Sequence, residues 1–415
     1  MSSSLPVACI SVSSALGGSE WVLRDFATRA RRYDIEPLVV LPKEGPLGET
    51  LRADGVSVAV ASASDEFLEV SQRAIGSPEV VLRFGRGLWQ WSRAIGAALE
   101  RAGSLPHGRP RVLYSNGFKA HLACALLRRY QRVWHLHEYP PEKVGVVWRG
   151  LAAAVPDAAV AVTRSVADAW RGPTLTPDVV LNGVDIERFK PGPRTFWLHD
   201  LLGLPHEARL IGMPAVFARW KGHLLVIEAF ERIAAQAPDA HLVLVGGPIY
   251  DTMSERGYAK ELSRRVGRSS LGGAPSAPSL SGRIHFVRFQ EEPWRLYPEF
   301  DLVVHFSTRP EPFGRVILEA MACAAPVIAV RAGGPMEIID DGVTGWLTPM
   351  GDVAALGQRV LAALGGDTAP VGAAARRVAE TRFSAERFSA EVAAVLRRVG
   401  ERRAQAPPPP PPPQS

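Results

Sequence analysis

Short apolar runs rich in β-branched residues alternate with amphipathic stretches from one end of the chain to the other. That alternation predicts parallel strands joined by crossover helices. In the first half the runs Val7 to Val12, Pro37 to Leu41, Ser57 to Val60, Arg111 to Tyr114, Val133 to Leu136, Ala158 to Val162 and Val179 to Leu181 read as strands. Helices are expected to begin near Ser19, Leu47, Phe84, Lys119, Lys143 and Ser165, most of them after Gly, Ser or Asn, as helix starts do. A second series follows, with strands over Leu210 to Ala215, His241 to Val245, Ile284 to Phe286, Leu302 to His305, Val327 to Ala329 and Trp346 to Thr348. The fold class is therefore α/β, built as two doubly wound domains.

The stretch Phe189 to Pro205, with Pro191, Gly192, Pro193 and Pro205, reads as an interdomain connection enclosing a short helix. The expected division is a first domain over 1–190, a linker over 191–205, a second domain over 206–384 and a final helix over 385–403. A disordered tail over 404–415 contains the seven prolines Pro407 to Pro413. Such a tail is a polyproline II segment without a core, able to dock a partner domain. Residues 267–282 are rich in Gly, Ser, Ala and Pro and read as a mobile loop.

Composition narrows the class without choosing a function. With 415 residues, 47% hydrophobic and 22% charged, the chain is of ordinary globular make-up and long enough for two cores. Lys and Arg exceed Asp and Glu by six, giving a pI near 9.4, which favours anionic partners without specifying one. Cys9, Cys124 and Cys323 are an odd number with no CxxC spacing, which argues against a disulfide framework or a zinc site and fits a reducing compartment. No apolar run is long enough to cross a bilayer, and no Lys or Arg precedes Leu5 to Leu16 as a signal peptide requires. Nucleic-acid binding lacks any accompanying motif.

The chemistry concentrates in Thr308 to Ala322, TRPEPFGRVILEAMA, directly after a strand and thus at its carboxyl end, where open α/β sheets bind ligands. Pro310, Pro312 and Gly314 make a rigid turn, and the helix behind them offers unpaired N–H groups and a positive dipole end to phosphate. Five residues from Gly314 to Glu319 advance roughly 7 to 8 Å, about the span from a diphosphate to a ribose. Each of Glu311 and Glu319 can accept two hydrogen bonds from a vicinal diol. The alternative is a helix-cap carboxylate plus a solvated one, but Glu319 is flanked by Ile317, Leu318, Ala320 and Met321. After the strand ending at Ala215, Arg219 and Lys221 can clamp phosphates or serve as plain surface charge. Gly17 and Gly18 allow close backbone approach after the first strand, although ALGGSE is not the GxGxxG of dinucleotide sites. His137 and Glu138 end another strand; His137 can hydrogen-bond a sugar or shuttle a proton, while His135 reads as a satisfied core histidine.

Together, ALGGSE (15–20), WHLHEY (134–139), LNGVDIERFKP (181–191), WKGH (220–223), LVGGPIYD (244–251), EPFGRVILE (311–319) and APVIAVRAGGPMEIIDDGVTGWL (325–347) resemble glycosyltransferase family 4, in the family's order. The resemblance implies the GT-B architecture, two Rossmann-like domains facing a central cleft, and a retaining transfer from a nucleotide-diphospho-sugar, UDP- or GDP-linked, to a hydroxyl acceptor. It implies no cofactor and no metal. By it, Glu311 contacts the donor sugar, the backbone of Phe313, Gly314, Arg315 and Val316 holds sugar and diphosphate, and Glu319 holds the ribose. Arg219 and Lys221 neutralise the diphosphate, and His137 and Gly18, beside Gly17, face the donor from the first domain. The catalytic set is thus Glu311, His137 and Lys221. Two departures stand out. Val216 occupies the place of the usual family arginine, and Ala324 replaces a common glycine.

The acceptor is a glycan, a lipid-linked molecule or a small hydroxyl compound, which points to surface-glycan, polysaccharide or glycolipid synthesis in the cytoplasm, with peripheral contact at the inner membrane face. From Arg83 to Arg101 the stripe Phe84, Leu88, Trp91, Ile95 and Leu99 suits either an interfacial helix, with Trp89 near headgroups, or a helix packed on the sheet. Two other readings of the chain remain: a non-catalytic sugar-nucleotide sensor or scaffold, and a nucleotide-sugar hydrolase or epimerase.

Overall fold

The computed structural model describes residues 4–70, 78–102, 109–140, 150–152, 155–247, 257–268 and 279–404. The helix expected near Lys143, most of the loop over 267–282 and the polyproline tail lie outside them. The chain divides into two units, the first made of Met1–Leu181 and Glu386–Ser415, the second of Asn182–Ala385.

The first unit is a seven-stranded parallel sheet of β1 (Leu5–Ser11), β2 (Ile35–Leu41), β3 (Ser57–Val60), β4 (Val112–Asn116), β5 (Gln131–Leu136), β6 (Ala158–Ala161) and β7 (Asp178–Val179), in the order β3-β2-β1-β4-β5-β6-β7. Its helices are α1 (Gly18–Ala27), α2 (Pro46–Ala53), α3 (Asp65–Glu69), α4 (Pro78–Ala102), α5 (Phe118–Ala125) and α6 (Arg164–Trp170). Side-chain caps start two of them: Ser64 accepts from the Phe67 N–H and Thr163 from the Val166 N–H. Central strands are apolar on both faces because helices cover both.

The second unit repeats the plan with six strands. These are β8 (Arg209–Pro214), β9 (Ala240–Val245), β10 (Ile284–Val287), β11 (Leu302–His305), β12 (Val327–Val330) and β13 (Trp346–Thr348), in the order β10-β9-β8-β11-β12-β13. Around them lie α7 (Trp197–Leu202), α8 (His223–Ile233), α9 (Tyr258–Val266), α10 (Arg315–Ala322), α11 (Pro335–Ile338), α12 (Val353–Gly365) and α13 (Ala369–Arg382). In both sheets strand order reverses beside the first strand, between β1 and β4 and again between β8 and β11. The helices on either side of such a reversal cross to opposite faces, which opens a crevice at the carboxyl ends.

The structure differs from the sequence reading in three places. The division falls between Leu181 and Asn182 rather than at 190, and 191–205 packs into the second unit. Arg194 pairs with Asp301 at 2.9 Å, and Glu299 accepts from the Thr195 N–H and hydroxyl at 2.8 Å each. The final helix, α14 (Ala385–Ala404), returns to the first unit, where Phe388, Val392, Leu396 and Val399 join the core of Val7, Phe26 and Tyr114. Ala324, whose replacement of glycine looks slight in the sequence, has φ 57°, the left-handed region that an L side chain enters at a cost of roughly 1 kcal/mol.

Removing the ring that anchors α14 should therefore unfold a unit that begins nearly four hundred residues earlier. Phe388→Ala is expected to cost about 3–5 kcal/mol. Denaturant unfolding with proteolytic mapping should show the loss in residues 4–181; a loss confined to the second unit would contradict the division.

Candidate functional site

In the second unit, the segments after β8 and β11 meet at the strand reversal. The Thr308 N–H donates to the Trp220 carbonyl at 2.8 Å, tying one loop to the other. Gly222 makes this possible: its φ is 78°, and a Cβ there would stand 1.9 Å from the Phe306 carbonyl oxygen. The turn so formed directs Lys221 inward. Its Nζ donates to both oxygens of Glu311, at 3.2 and 2.9 Å, and Oε2 also accepts from the Ser307 hydroxyl at 2.8 Å and bonds His305 Nε2 at 3.0 Å.

Glu311 is only 6% exposed. Burial alone would push its carboxyl up, but the Lys221 charge and the hydrogen bonds from His305 and Lys221 outweigh it and hold the group well below the usual carboxylate range. Its backbone is fixed as well, with the Glu311 carbonyl accepting from the Gly334 N–H at 2.7 Å. Gly334 cannot be larger, because a Cβ would strike the Phe313 backbone.

Gly314 precedes α10 with φ 98°, and no side chain caps the helix. Its first-turn N–H groups are thus directed at the crevice as an anion site. Glu319 is buried one turn in, accepting from Arg315 Nε at 2.8 Å and from the Tyr297 hydroxyl at 2.6 Å. Phe313 is buried and Val316 half-buried at the same turn. Lys221 and Glu311 are thus brought together, and Phe313, Gly314, Arg315, Val316 and Glu319 lie in the turn and helix start that follow. Arg219 departs from the clamp expected of it: its guanidinium pairs with Glu261 at 2.6 Å and lies over the Tyr258 ring. Sequence reading missed His305, Ser307, Tyr297 and Gly334. His305 ends β11, and Ser307 follows on the same side, so the strand period was the available signal.

The first unit has a strand reversal of its own, and Gly17, Gly18 and His137 lie there. Gly17 precedes α1 and Gly18 opens it. His137 follows β5, with its ring centroid 3.9 Å from that of His135. Burial pushes His137 down to about 3, and His121 likewise, with the His137 charge adding to the effect. Burial also lowers His135. Glu20, buried in the first turn of α1, is pushed up to about 7 by burial. The described residues contain no cluster able to hold a metal ion and no helix long and apolar enough to cross a membrane.

Two parallel doubly wound sheets of one strand order make this an α/β fold of the GT-B type. Residues 198–371, within this second unit, match the family described as glycosyl transferases group 1. The chain is 30% identical over 190 residues to the D-inositol 3-phosphate glycosyltransferase of Mycolicibacterium gilvum, a match spanning 43% of this chain and 39% of the relative. The match thus spans about two fifths of that curated relative's length. HepE of Anabaena, crystallised with UDP and glucose, is 28% identical with a TM-score of 0.75, covering 94% of this chain and 99% of that one. The sucrose-phosphate synthase of Thermosynechococcus elongatus shares the fold at 18% identity, with a TM-score of 0.74 and coverage of 96% and 100%.

The buried histidines make stability depend on pH. A histidine held below its unfolded value of 6.5 contributes fully above that pH, and its contribution is lost as protons bind the unfolded chain below it. Glu20, raised instead, works in the opposite direction, but His121, His135 and His137 outnumber it. The melting temperature should fall steadily from pH 6.5 to pH 5.5, above the range where ordinary carboxylates titrate. A flat or rising profile would disprove this.

Proposed function

We propose that the protein transfers a sugar, with retention of configuration, from a nucleotide-diphospho-sugar to a hydroxyl acceptor in the synthesis of a surface glycan, polysaccharide or glycolipid. The reading rests on Lys221 and Glu311 locked beside the open first turn of α10. As the anomeric carbon leaves the diphosphate oxygen for the acceptor oxygen, negative charge grows on the diphosphate. The Lys221 ammonium and the N–H groups of Gly314 to Val316 are fixed where that charge forms, so they stabilise the transition state without reorganising. Glu311 Oε1 accepts a single long bond from Lys221, which leaves it capacity for a donor-sugar hydroxyl. Glu319, one turn deeper, takes the ribose. The crystals of the HepE relative with UDP and with UDP-glucose favour a uridine nucleotide as donor.

A thermal-shift panel of UDP-, GDP- and ADP-sugars tests the donor site, since a ligand bound only by the folded state raises its stability. UDP-glucose at millimolar concentration should raise the melting temperature by several degrees, and Glu319→Ala should abolish the shift. No shift from any nucleotide sugar would refute the reading, and a shift without transfer or hydrolysis would favour a sensor.

We further propose that α4 rests on an anionic lipid surface. Phe84, Trp91, Ile95 and Leu99 are buried on the sheet, so that stripe is core and not interface. The opposite face carries Leu82, Arg86, Trp89 and Arg93 at helical spacing. Leu82 is 75% and Trp89 53% exposed, and the Arg93 guanidinium lies 4.8 Å from the Trp89 ring. The protein should co-sediment with phosphatidylglycerol-rich vesicles at low salt, and Trp89→Ala with Arg93→Ala should release it. Equal sedimentation of the double variant would eliminate this face as the contact.

A further inference from the structure

The strand reversal of the first unit holds polar atoms that donor chemistry leaves unused. Asn116 ends β4 and lies opposite His135 in the parallel ladder, and each is 1% exposed. Asn116 Nδ2 donates to the Ser19 carbonyl at 3.3 Å, while its Oδ1 is buried with no partner among the described residues. The Tyr114 hydroxyl bonds His135 Nδ1 at 2.6 Å, leaving Nε2 in the same condition. His137 Nε2 is a third such atom. Side chains two apart share a face, so Asn116 lies beside Tyr114, and His137 beside His135, along the side of the sheet that α1 covers. The Asn116–Ser19 bond carries this group to the first turn of α1, where Glu20 is buried. Gly17 leaves room for that carboxyl, since a Cβ there would stand 2.6 Å from Glu20 Oε2.

A buried polar atom without a partner is costly, so three at the ends of the neighbouring strands β4 and β5 call for a ligand that supplies hydrogen bonds. The ionisable groups gathered here are neutral imidazoles and the carboxyls of Glu20 and Glu138, whose charges act on one another. Such a set suits hydroxyl groups, which donate and accept at once, and repels a phosphate. We propose that Asn116, His135, His137 and Glu20 bind the hydroxyls of an uncharged polyol or sugar as the acceptor, and that the site rejects the same molecule when phosphorylated. The assignment rests on the transferase reading for the word acceptor and on the geometry for the rest.

Saturation-transfer NMR on the full chain, with methyl α-glucoside and myo-inositol as neutral probes and glucose 6-phosphate and inositol 1-phosphate as charged ones, tests it. The neutral probes should bind at least about fivefold better, and Asn116→Ala should abolish their signal. Glu20→Gln, which keeps the shape but removes the charge, should weaken neutral binding and narrow the discrimination against the phosphorylated probes. If Asn116→Ala does not fold by circular dichroism, Glu20→Gln decides alone. Phosphorylated probes binding as well, a signal unchanged in both variants, or no neutral binding at 50 mM would each overturn the proposal. A UDP-glucose thermal shift on the same samples separates the two failures: a shift without polyol binding sinks this site alone, and polyol binding without a shift sinks the transferase reading alone.

Discussion

A carboxylate sealed from water survives only if protein groups replace its hydration, and Glu311 is the place where this chain meets that demand. Lys221 arrives from the loop after β8, His305 from the end of β11, and Ser307 from the turn behind it. Two segments 90 residues apart in sequence, the turn at Lys221 and the stretch from His305 to Glu311, are thereby held to one point. The constraint spreads outward. Gly222 must be glycine for Lys221 to turn inward, Gly314 for α10 to start where it does, and Gly334 for a further loop to close against Phe313. An ion pair buried in this way adds little net stability over apolar packing, but losing one partner leaves an uncompensated charge. Its value lies in fixing a cation beside a helix start before any ligand arrives.

The same strand order, used twice, gives two crevices of opposite chemical character. In the second unit the reversal between β8 and β11 presents an ammonium and open helix N–H groups. In the first, the reversal between β1 and β4 presents neutral imidazoles, an amide and carboxyls. Topology decides where each crevice lies, and side chains decide what it accepts. A donor carrying a diphosphate and an acceptor carrying hydroxyls are the pair proposed for them.

Much of this was legible in the sequence for physical reasons. Strands buried on both faces must be apolar throughout, so the central strands of both sheets could be read from their apolar runs, while the short edge strand β7 begins at Asp178, one residue before the run expected there. The rim of α10 was legible because a turn, a helix start and two carboxylates lie within a few consecutive residues. His305, Ser307 and Tyr297 were not, since their meaning comes from register and packing rather than local pattern. The final helix was legible as a helix but not which core would bury it, and the chain returns to its first unit to do so. In α4 the stripe was read correctly as a face, yet its burial transfers interest to the opposite side, where Trp89 lies.

The displaced arginine shows why a residue type cannot be moved along a sequence without consequence. Arg219 and Lys221 bracket a single 3₁₀ turn, in which each residue advances about 120°. Two steps carry the side chain about 240° round, so when Gly222 turns Lys221 toward Glu311, Arg219 must face elsewhere. It faces α9, where Glu261 and the Tyr258 ring receive it. A cation at 219 is therefore no substitute for one at 216, which would lie just beyond the end of β8 itself. The positive charge at this crevice is consequently carried by Lys221 and the start of α10, with Arg315 held to Glu319 at the same turn. That concentration leaves the proposed diphosphate site dependent on the very turn that Gly222 builds.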